Sequence, residues 1–544
     1  MSCSPSGRAE PTLADATLVG ATLLAWGSAA VLVMTPGAFP SFFLSVLATA
    51  TFAGALYRRD RLRAWQVLML GIGLRALVAG LPPVLSDDVF RYVWDGLVQY
   101  QGLNPYAYTP AAVASVIAAP EVFGALNSPA YYSVYPPVSQ VVFALAGVAY
   151  NDGGLGQALA VLKGVSIAAD VGVLVLLALA VPARRALLWA ASPLVVLENA
   201  AQIHTEALCA LLLVGAVLAE RRRQAGVGGA LLAAAGWVKL VPWFLLPLLL
   251  IRRQWRAVVA ALVVGGLLAL PFAAPAVMAN VQSSLDLYVR LFEFNAGPYY
   301  VLKRLGWVIF DMDTSKVLGP LLRLGFLATL PVLWWHARKQ DWPLARLGVW
   351  IYGLFIATAT TVHPWYLVPL LALLPLSGRA GWAWQALGVL SIGTYGFYQG
   401  GPYLPMVALV WATWVVLLLV EARSPLLAAL MRWRARTKVR HLRPALRQLP
   451  DHRVLDLGAG EGYVGDVLAG LGARVTLTDV VRSARAPLPF VQVGPGLPFA
   501  TGAFDTVLLV FVLHHAADTE GLLHEALRAG HRVVVLESVY ETAG

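Results

Sequence analysis

The sequence predicts an α-helical polytopic membrane chain followed, near its C-terminal end, by an α/β domain built on a doubly wound parallel sheet. Two observations carry this. Through residues 1–421, apolar runs long enough to span a bilayer follow one another, and the 544-residue chain is 59% hydrophobic and only 13% charged. From 451 onward, VLDLGAG, RVTLTD, FDTVLLVFVLHH and HRVVVLES read as buried strands alternating with helical stretches, the order that builds a parallel sheet.

The runs can be taken in order. Residues 13–34 read as a retained first helix rather than a cleaved leader. Residues 39–57 follow, then Arg58, Arg59, Arg61 and Arg63, which mark a cytoplasmic loop and so a cytoplasmic N-terminus. Residues 64–81 lead out again. Residues 137–150 are short for a span and are expected not to cross, so that Arg184–Arg185 and Arg221–Arg223 both fall inside. Residues 158–181, 186–200 and 205–218 are apolar. Residues 228–251 hold Lys239 and Pro242 near their centre and predict a broken hairpin lining a polar cavity. The runs at 258–274, 317–335, 347–361, 365–376, 382–397 and 407–420 bring the expectation to about twelve crossings plus re-entrant segments. Cys3 and Cys209 lie far apart, and Cys209 sits in an apolar run, which argues against a disulfide framework.

The net charge is +11, but the basic residues collect in short loops between apolar runs, so no nucleic-acid partner is expected. The basic stretch 422–450, with MRWRARTKVRHLR at its centre, predicts a juxtamembrane linker that contacts anionic lipid headgroups or simply supplies topogenic charge. The predicted organisation is therefore a membrane domain at 1–421, this linker, and a cytoplasmic α/β domain at 451–544.

The chemistry-bearing stretch is SDDVFRYVWDGLVQYQGLNPY, at 86–106. Ser86 suits a helix N-cap and Asp87 and Asp88 the first turn. Val89, Val93 and Leu97 share one side, and Asp88, Arg91 and Asp95 the other, which predicts an amphipathic helix lying on the membrane surface. The charge pattern places it outside, together with His204, Glu206, Lys303, Arg304, His363 and Tyr366. Adjacent carboxylates near a low-dielectric surface can serve as a general base, or can bind a divalent metal that bridges a phosphate. Capping and pairing with Arg91 is the purely structural alternative. Lys239, Lys303, Arg304 and His363 are cations by type for a phosphate, and Trp237, Trp243, Trp365 and Tyr366 are aromatics that could line a sugar or prenyl groove.

Together with VYPPVSQ, ENAAQIHTEAL, GWVKLVPW, FEFNAGPYY and TTVHPWYLVP, in that order, this stretch resembles the bacterial mannosyltransferase-like branch of the type C glycosyltransferases. The resemblance covers roughly 13–420. It implies a polyprenyl-phosphate sugar as donor and a lipid or glycan acceptor on the non-cytoplasmic side of the cell membrane. It implies Asp87 as first candidate for the base and Asp88 as second, with Arg91, Asp95, His204, Glu206, Lys239, His363 and Tyr366 around the substrates. Many relatives read His-Asn-Asp where this chain has His204-Thr205-Glu206, which points to a changed substrate contact. A lipid-linked sugar transporter is the competing reading for buried charges and broken helices, although transport sites lie near the midplane.

The C-terminal strand-to-turn segment DLGAGEG, followed by Asp479 at the end of the next strand, then LPF and FDTVLLVFVLHH, resembles class I S-adenosylmethionine-dependent methyltransferases, a Rossmann-like fold. The resemblance implies Asp456, Gly458 and Gly460 around the methionine part of S-adenosylmethionine and Asp479 on its ribose. Relatives usually carry an acid just before LPF, where this chain reads VGPG, and the sequence ends soon after the fourth recognisable strand, so an incomplete domain is expected. Methyl transfer with the membrane part as an anchor is a further alternative, which a dozen spans with polar outer loops argues against.

Overall fold

The computed structural model describes residues 10–290, 292–446, 450–481, 484, 486–494, 496–516 and 518–537, and divides into two compact units, Met1–Leu418 and Leu419–Gly544.

The first unit is helical. Among the described residues, six helices are long and apolar enough to cross a membrane: Leu13–Leu32, Phe39–Arg59, Pro137–Ala180, Trp255–Phe272, Ser315–Lys339 and Tyr403–Ala422. Pro193–Ala201 and Glu206–Arg221 form a seventh candidate, bent by 118° at the break between them. The expectation of about twelve crossings also counts shorter apolar helices such as Ala64–Ala79 and Leu344–Thr358, which fall short of the ~17–25 residues of an ordinary span.

Two breaks matter for the site. The 193–221 segment turns through Gln202–Thr205, where Ile203 takes a positive φ of 64°, so His204 and Glu206 sit at the elbow. The expected hairpin at 228–251 consists of Ala225–Gly236 and, after a break carrying Lys239, Val241–Leu245 and Leu246–Ile251.

Helix Asp88–Tyr100 starts one residue later than expected by capping chemistry, with Asp87 at the N-cap and Ser86 Oγ accepting the Asp88 N–H at 3.3 Å. It does not lie on a surface. Nine of its residues are buried, Arg91 and Asp95 among them. The reason is that the loop after it and the first half of Pro137–Ala180 cover the polar face. That long helix kinks at Gly153 and Gly154. The half before the kink shares a small core with Val89, Trp94 and Leu97, apart from the main bundle core. The two helices touch backbone to backbone at Gly96 and Gly147. A Cβ on Gly96 would lie 1.9 Å from the Phe143 carbonyl oxygen, and one on Gly147 would lie 2.2 Å from that of Gly96.

The described residues of the second unit form a five-stranded sheet, β1 Arg453–Leu457, β2 Arg474–Asp479, β3 Phe490–Gln492, β4 Thr506–Val510 and β5 Val533–Leu536, all parallel in the order β3-β2-β1-β4-β5. Strand β3 has no counterpart in the sequence expectation, because three residues in a Pro-rich stretch give no readable period. Within the stretch expected as a linker, Val439, Leu442 and Leu446 are buried in the same core as Val454 and Leu477. Arg432 Nε pairs with Asp466 at 3.2 Å. These basic residues therefore alternate with apolar ones that pack on the sheet.

Candidate active site

In the first unit a cavity of about 1110 Å³ gathers most of the side chains singled out in the sequence. Asp87, Asp88, Glu206, Lys239, His363 and Tyr366 all line it. They come from four separate places: the start of the Asp88–Tyr100 helix, the 202–206 elbow, the break after Gly236, and the turn at 363–367. Each of these is an irregular point of the chain, and irregular backbone at membrane depth is tolerated where it borders a cavity.

The two acids differ. Asp87 is exposed and Asp88 partly buried. Asn127 Nδ2 donates to Asp87 Oδ1 at 2.8 Å and to Asp88 Oδ1 at 3.5 Å. Burial, and then the neighbouring Asp87 carboxylate, push the Asp88 carboxyl up to about 6. Lys239 Nζ lies 2.8 Å from Glu206 Oε1 and 5.5 Å from the centre of the Tyr135 ring. His363 stacks on Trp365, with ring centres 4.3 Å apart and planes at 3°, and burial and then Lys239 hold its pKa down to about 3. His363 is thus a neutral ring near pH 7.

Three members of the expected set stand away from the cavity lining. Arg91 and Asp95 pair with each other at 2.8 Å, and Asp95 also accepts from Ser133 Oγ and, at 2.9 Å, from Gln140 Nε2. Arg91 Nη1 donates to the Ser128 carbonyl at 3.1 Å. This network ties the helix to the loop after it and to the helix that begins at Pro137. His204 is buried behind the cavity wall, stacked on Trp365 with ring centres 4.0 Å apart. Lys303 pairs with Glu293 at 2.8 Å, and neither Lys303 nor Arg304 borders the cavity. Trp365 and Tyr366 do, whereas Trp237 and Trp243 pack on each other, with Trp237 Nε1 donating to the Gly265 carbonyl at 2.7 Å.

Several lining residues escaped sequence reasoning, Asn127, Tyr395 and Arg323 among them. Tyr395 reaches the cavity and donates its hydroxyl to the buried Glu198 at 2.9 Å. Arg323 also lines it. The signal for Arg323 was present, since a lone arginine inside an apolar run marks a functional position by default. Among the described residues, no group of three or more His, Cys, Asp or Glu side chains is arranged to hold a metal.

In the second unit, the turn after β1 carries Gly458, Gly460 and Gly462 at φ 75°, 53° and 79°. A Cβ on Gly460 would meet nothing within 4 Å, which leaves the backbone open to a ligand, whereas one on Gly458 would strike Val512 at 2.6 Å. Gly460 N–H donates to Asp479 Oδ2 at 2.8 Å, so the end of β2 fixes the turn. Asp456 is buried, accepts the Gly465 N–H at 3.1 Å, and is pushed up by burial to about 6. The open glycine and the acids at the ends of β1 and β2 fit a nucleoside cofactor. Where an acid is missing before LPF, Glu525 Oε2 accepts the Leu497 N–H at 2.9 Å, and Arg528 donates to the Leu497 carbonyl at 2.9 Å. His514 Nδ1, just after β4, sits 2.7 Å from Glu537 Oε1.

Comparison with known proteins agrees with both halves. Residues 76–254 match the family model for the N-terminal domain of alpha-(1->6)-mannopyranosyltransferase, and residues 455–532 match that of a methyltransferase domain. Alpha-(1->6)-mannopyranosyltransferase A of Mycobacterium tuberculosis (strain ATCC 25618 / H37Rv) is 24% identical over 387 residues, covering 62% of this chain and 71% of that protein. No solved structure matches the chain. The chain is therefore a transferase whose helical unit is similar to a mannosyltransferase and whose parallel-sheet unit is similar to a methyltransferase domain.

Proposed function

We propose that the membrane unit transfers a hexose from a polyprenyl-phosphate sugar to a hydroxyl of a lipid or glycan acceptor. The observation that carries this is one cavity that holds an acid pair, a cation and an apolar wall together. Asp88 is the base. It is shielded more than Asp87 and its pKa of about 6 suits proton abstraction near neutrality, which reverses the order expected from sequence. It takes the proton of the acceptor hydroxyl, and the oxygen attacks the anomeric carbon. The bond from that carbon to the phosphate oxygen breaks with its electron pair, and the polyprenyl phosphate leaves on the opposite face, inverting the centre. Asn127 orients the acids, and Lys239, held by Glu206, supplies positive charge. The arginines at 58–63, 184–185 and 221–223 favour a cytoplasmic position for their loops, a cytoplasmic N-terminus, and a reaction on the other side.

The methyltransferase domain fits S-adenosylmethionine, with Asp456, Gly458 and Gly460 around the methionine part and Asp479 at the ribose. When bound, that cofactor supplies an electrophilic methyl group. Mass spectrometry of membrane glycolipids from cells with and without the chain tests the first activity. A hexosylated lipid or glycan that disappears with the chain supports it, and identical glycolipid profiles overturn it. Calorimetric titration of the full chain with S-adenosylmethionine tests the second, with saturable binding expected and none contradicting it.

A further inference from the structure

Helix Ser315–Lys339 is apolar enough to cross a membrane, yet it carries Arg323 two turns in, ~12 Å along its axis. Gly319, Arg323, Phe326 and Leu327 lie at i, i+4, i+7 and i+8, so they share one face, and all four line the cavity. That face continues as an aromatic wall. Ring centres of Phe244 and Phe326 are 5.2 Å apart, those of Phe326 and Phe355 are 6.1 Å apart, and those of Phe355 and Tyr366 are 6.5 Å apart. Leu240 and Val241 extend it. Lys239, the other lysine or arginine at the cavity, is already engaged by Glu206. Arg323 pairs with no carboxylate among the described residues. An exposed guanidinium without a counter-ion, bordering an apolar wall, suits a phosphate that arrives with a hydrocarbon chain, because its planar fork can hold two phosphate oxygens at once.

We propose that Arg323 grips the phosphate of the lipid donor, with the isoprenoid chain lying along the apolar arm formed by Phe244, Phe326, Leu327 and Phe355. This rests on the glycosyl-transfer reading above and names the residue that recognises its donor. The same chemistry could come from an ordinary anionic phospholipid headgroup, toward which an arginine stem can extend.

The test uses the full chain in nanodiscs of neutral lipid, with two readouts: direct binding of free polyprenyl phosphate, and donor KM and kcat for hexose transfer. Arg323→Gln is expected to weaken polyprenyl-phosphate binding and raise donor KM by about tenfold to a hundredfold, the loss of one charge-assisted contact, with kcat changed much less. Arg323→Lys should recover most of the affinity, which a merely structural arginine would not require, and both variants should unfold at the wild-type temperature. Unchanged binding and KM in Arg323→Gln would overturn the proposal. So would phosphatidylglycerol competing as well as polyprenyl phosphate, since Arg323 would then serve a general headgroup. If the wild type transfers no hexose but binds polyprenyl phosphate through Arg323, the enzymatic reading fails and the phosphate site stands.

Discussion

Asp88 and Asp95 stand two turns apart on one helix and look equivalent in the sequence, yet the fold uses them in opposite ways. Asp95 is 1% exposed, and Arg91, Ser133 and Gln140 saturate its carboxylate. Asp88 opens on a cavity with, among the described residues, one long side-chain hydrogen bond from Asn127 and a like charge next to it. The first arrangement is an internal tie in which three hydrogen bonds hold the carboxylate. The second leaves a carboxylate with little hydrogen-bond support, the condition in which we propose it acts as a base. The difference teaches that hydrogen-bond saturation, rather than charge or position on a helical face, separates a structural acid from a candidate catalytic one.

The comparison can be broken most sharply at Asp88. Asp88→Asn should cut hexose transfer by about a hundredfold to ten-thousandfold, the usual contribution of a positioned base, while thermal unfolding of the purified protein stays near wild type. Asp95→Ala should do the reverse. Leaving Arg91 buried without its partner costs about 3–5 kcal/mol, read as a lowered unfolding temperature, while transfer per folded molecule is largely retained. Loss of transfer at wild-type stability in Asp95→Ala would erase the distinction.

Smaller effects sharpen it. The two acids keep their separate environments because the Asp88–Tyr100 helix is pressed against the one beginning at Pro137 through Gly96 and Gly147. Gly96→Ala puts a methyl group into the Phe143 carbonyl, and the shift it forces should cost about 1–3 kcal/mol by denaturation. The mildest test is pH. Asp88 must be ionised to act, so kcat/KM should climb through about pH 6, well above the range of an ordinary aspartate. The same shift has a stability sign. The folded chain holds the Asp88 proton more tightly than the unfolded one, so this group's contribution is fully present below an unfolded pKa near 3.8 and is lost as pH rises through about 6. In Asp88→Asn, both trends should flatten.

Much of this was legible in the sequence. Asp87, Asp88, Lys239, His363 and Tyr366 stand out because charged and polar groups are rare in an apolar chain, and the fold brings them to one cavity. The glycine turn after β1 was readable because a strand, three glycines and Asp479 leave little other geometry. What was hidden lay in tertiary partners. Nothing near Arg91 and Asp95 announces that Ser133 and Gln140, 38 and 45 residues beyond Asp95, will cover them, and so a buried helix read as a surface one. Arg323 was passed over because one arginine does not stop a run from reading as a span. Lys303 looked free until Glu293 came beside it.

The most direct measurement is transfer of labelled hexose from a polyprenyl-phosphate sugar by the full chain in nanodiscs, wild type against Asp88→Asn. A labelled product from the wild type, and about a hundredfold less or lower from an Asp88→Asn protein that unfolds at the same temperature, is the predicted result. Equal transfer by both proteins would contradict it, because no account that places the base at Asp88 survives that outcome.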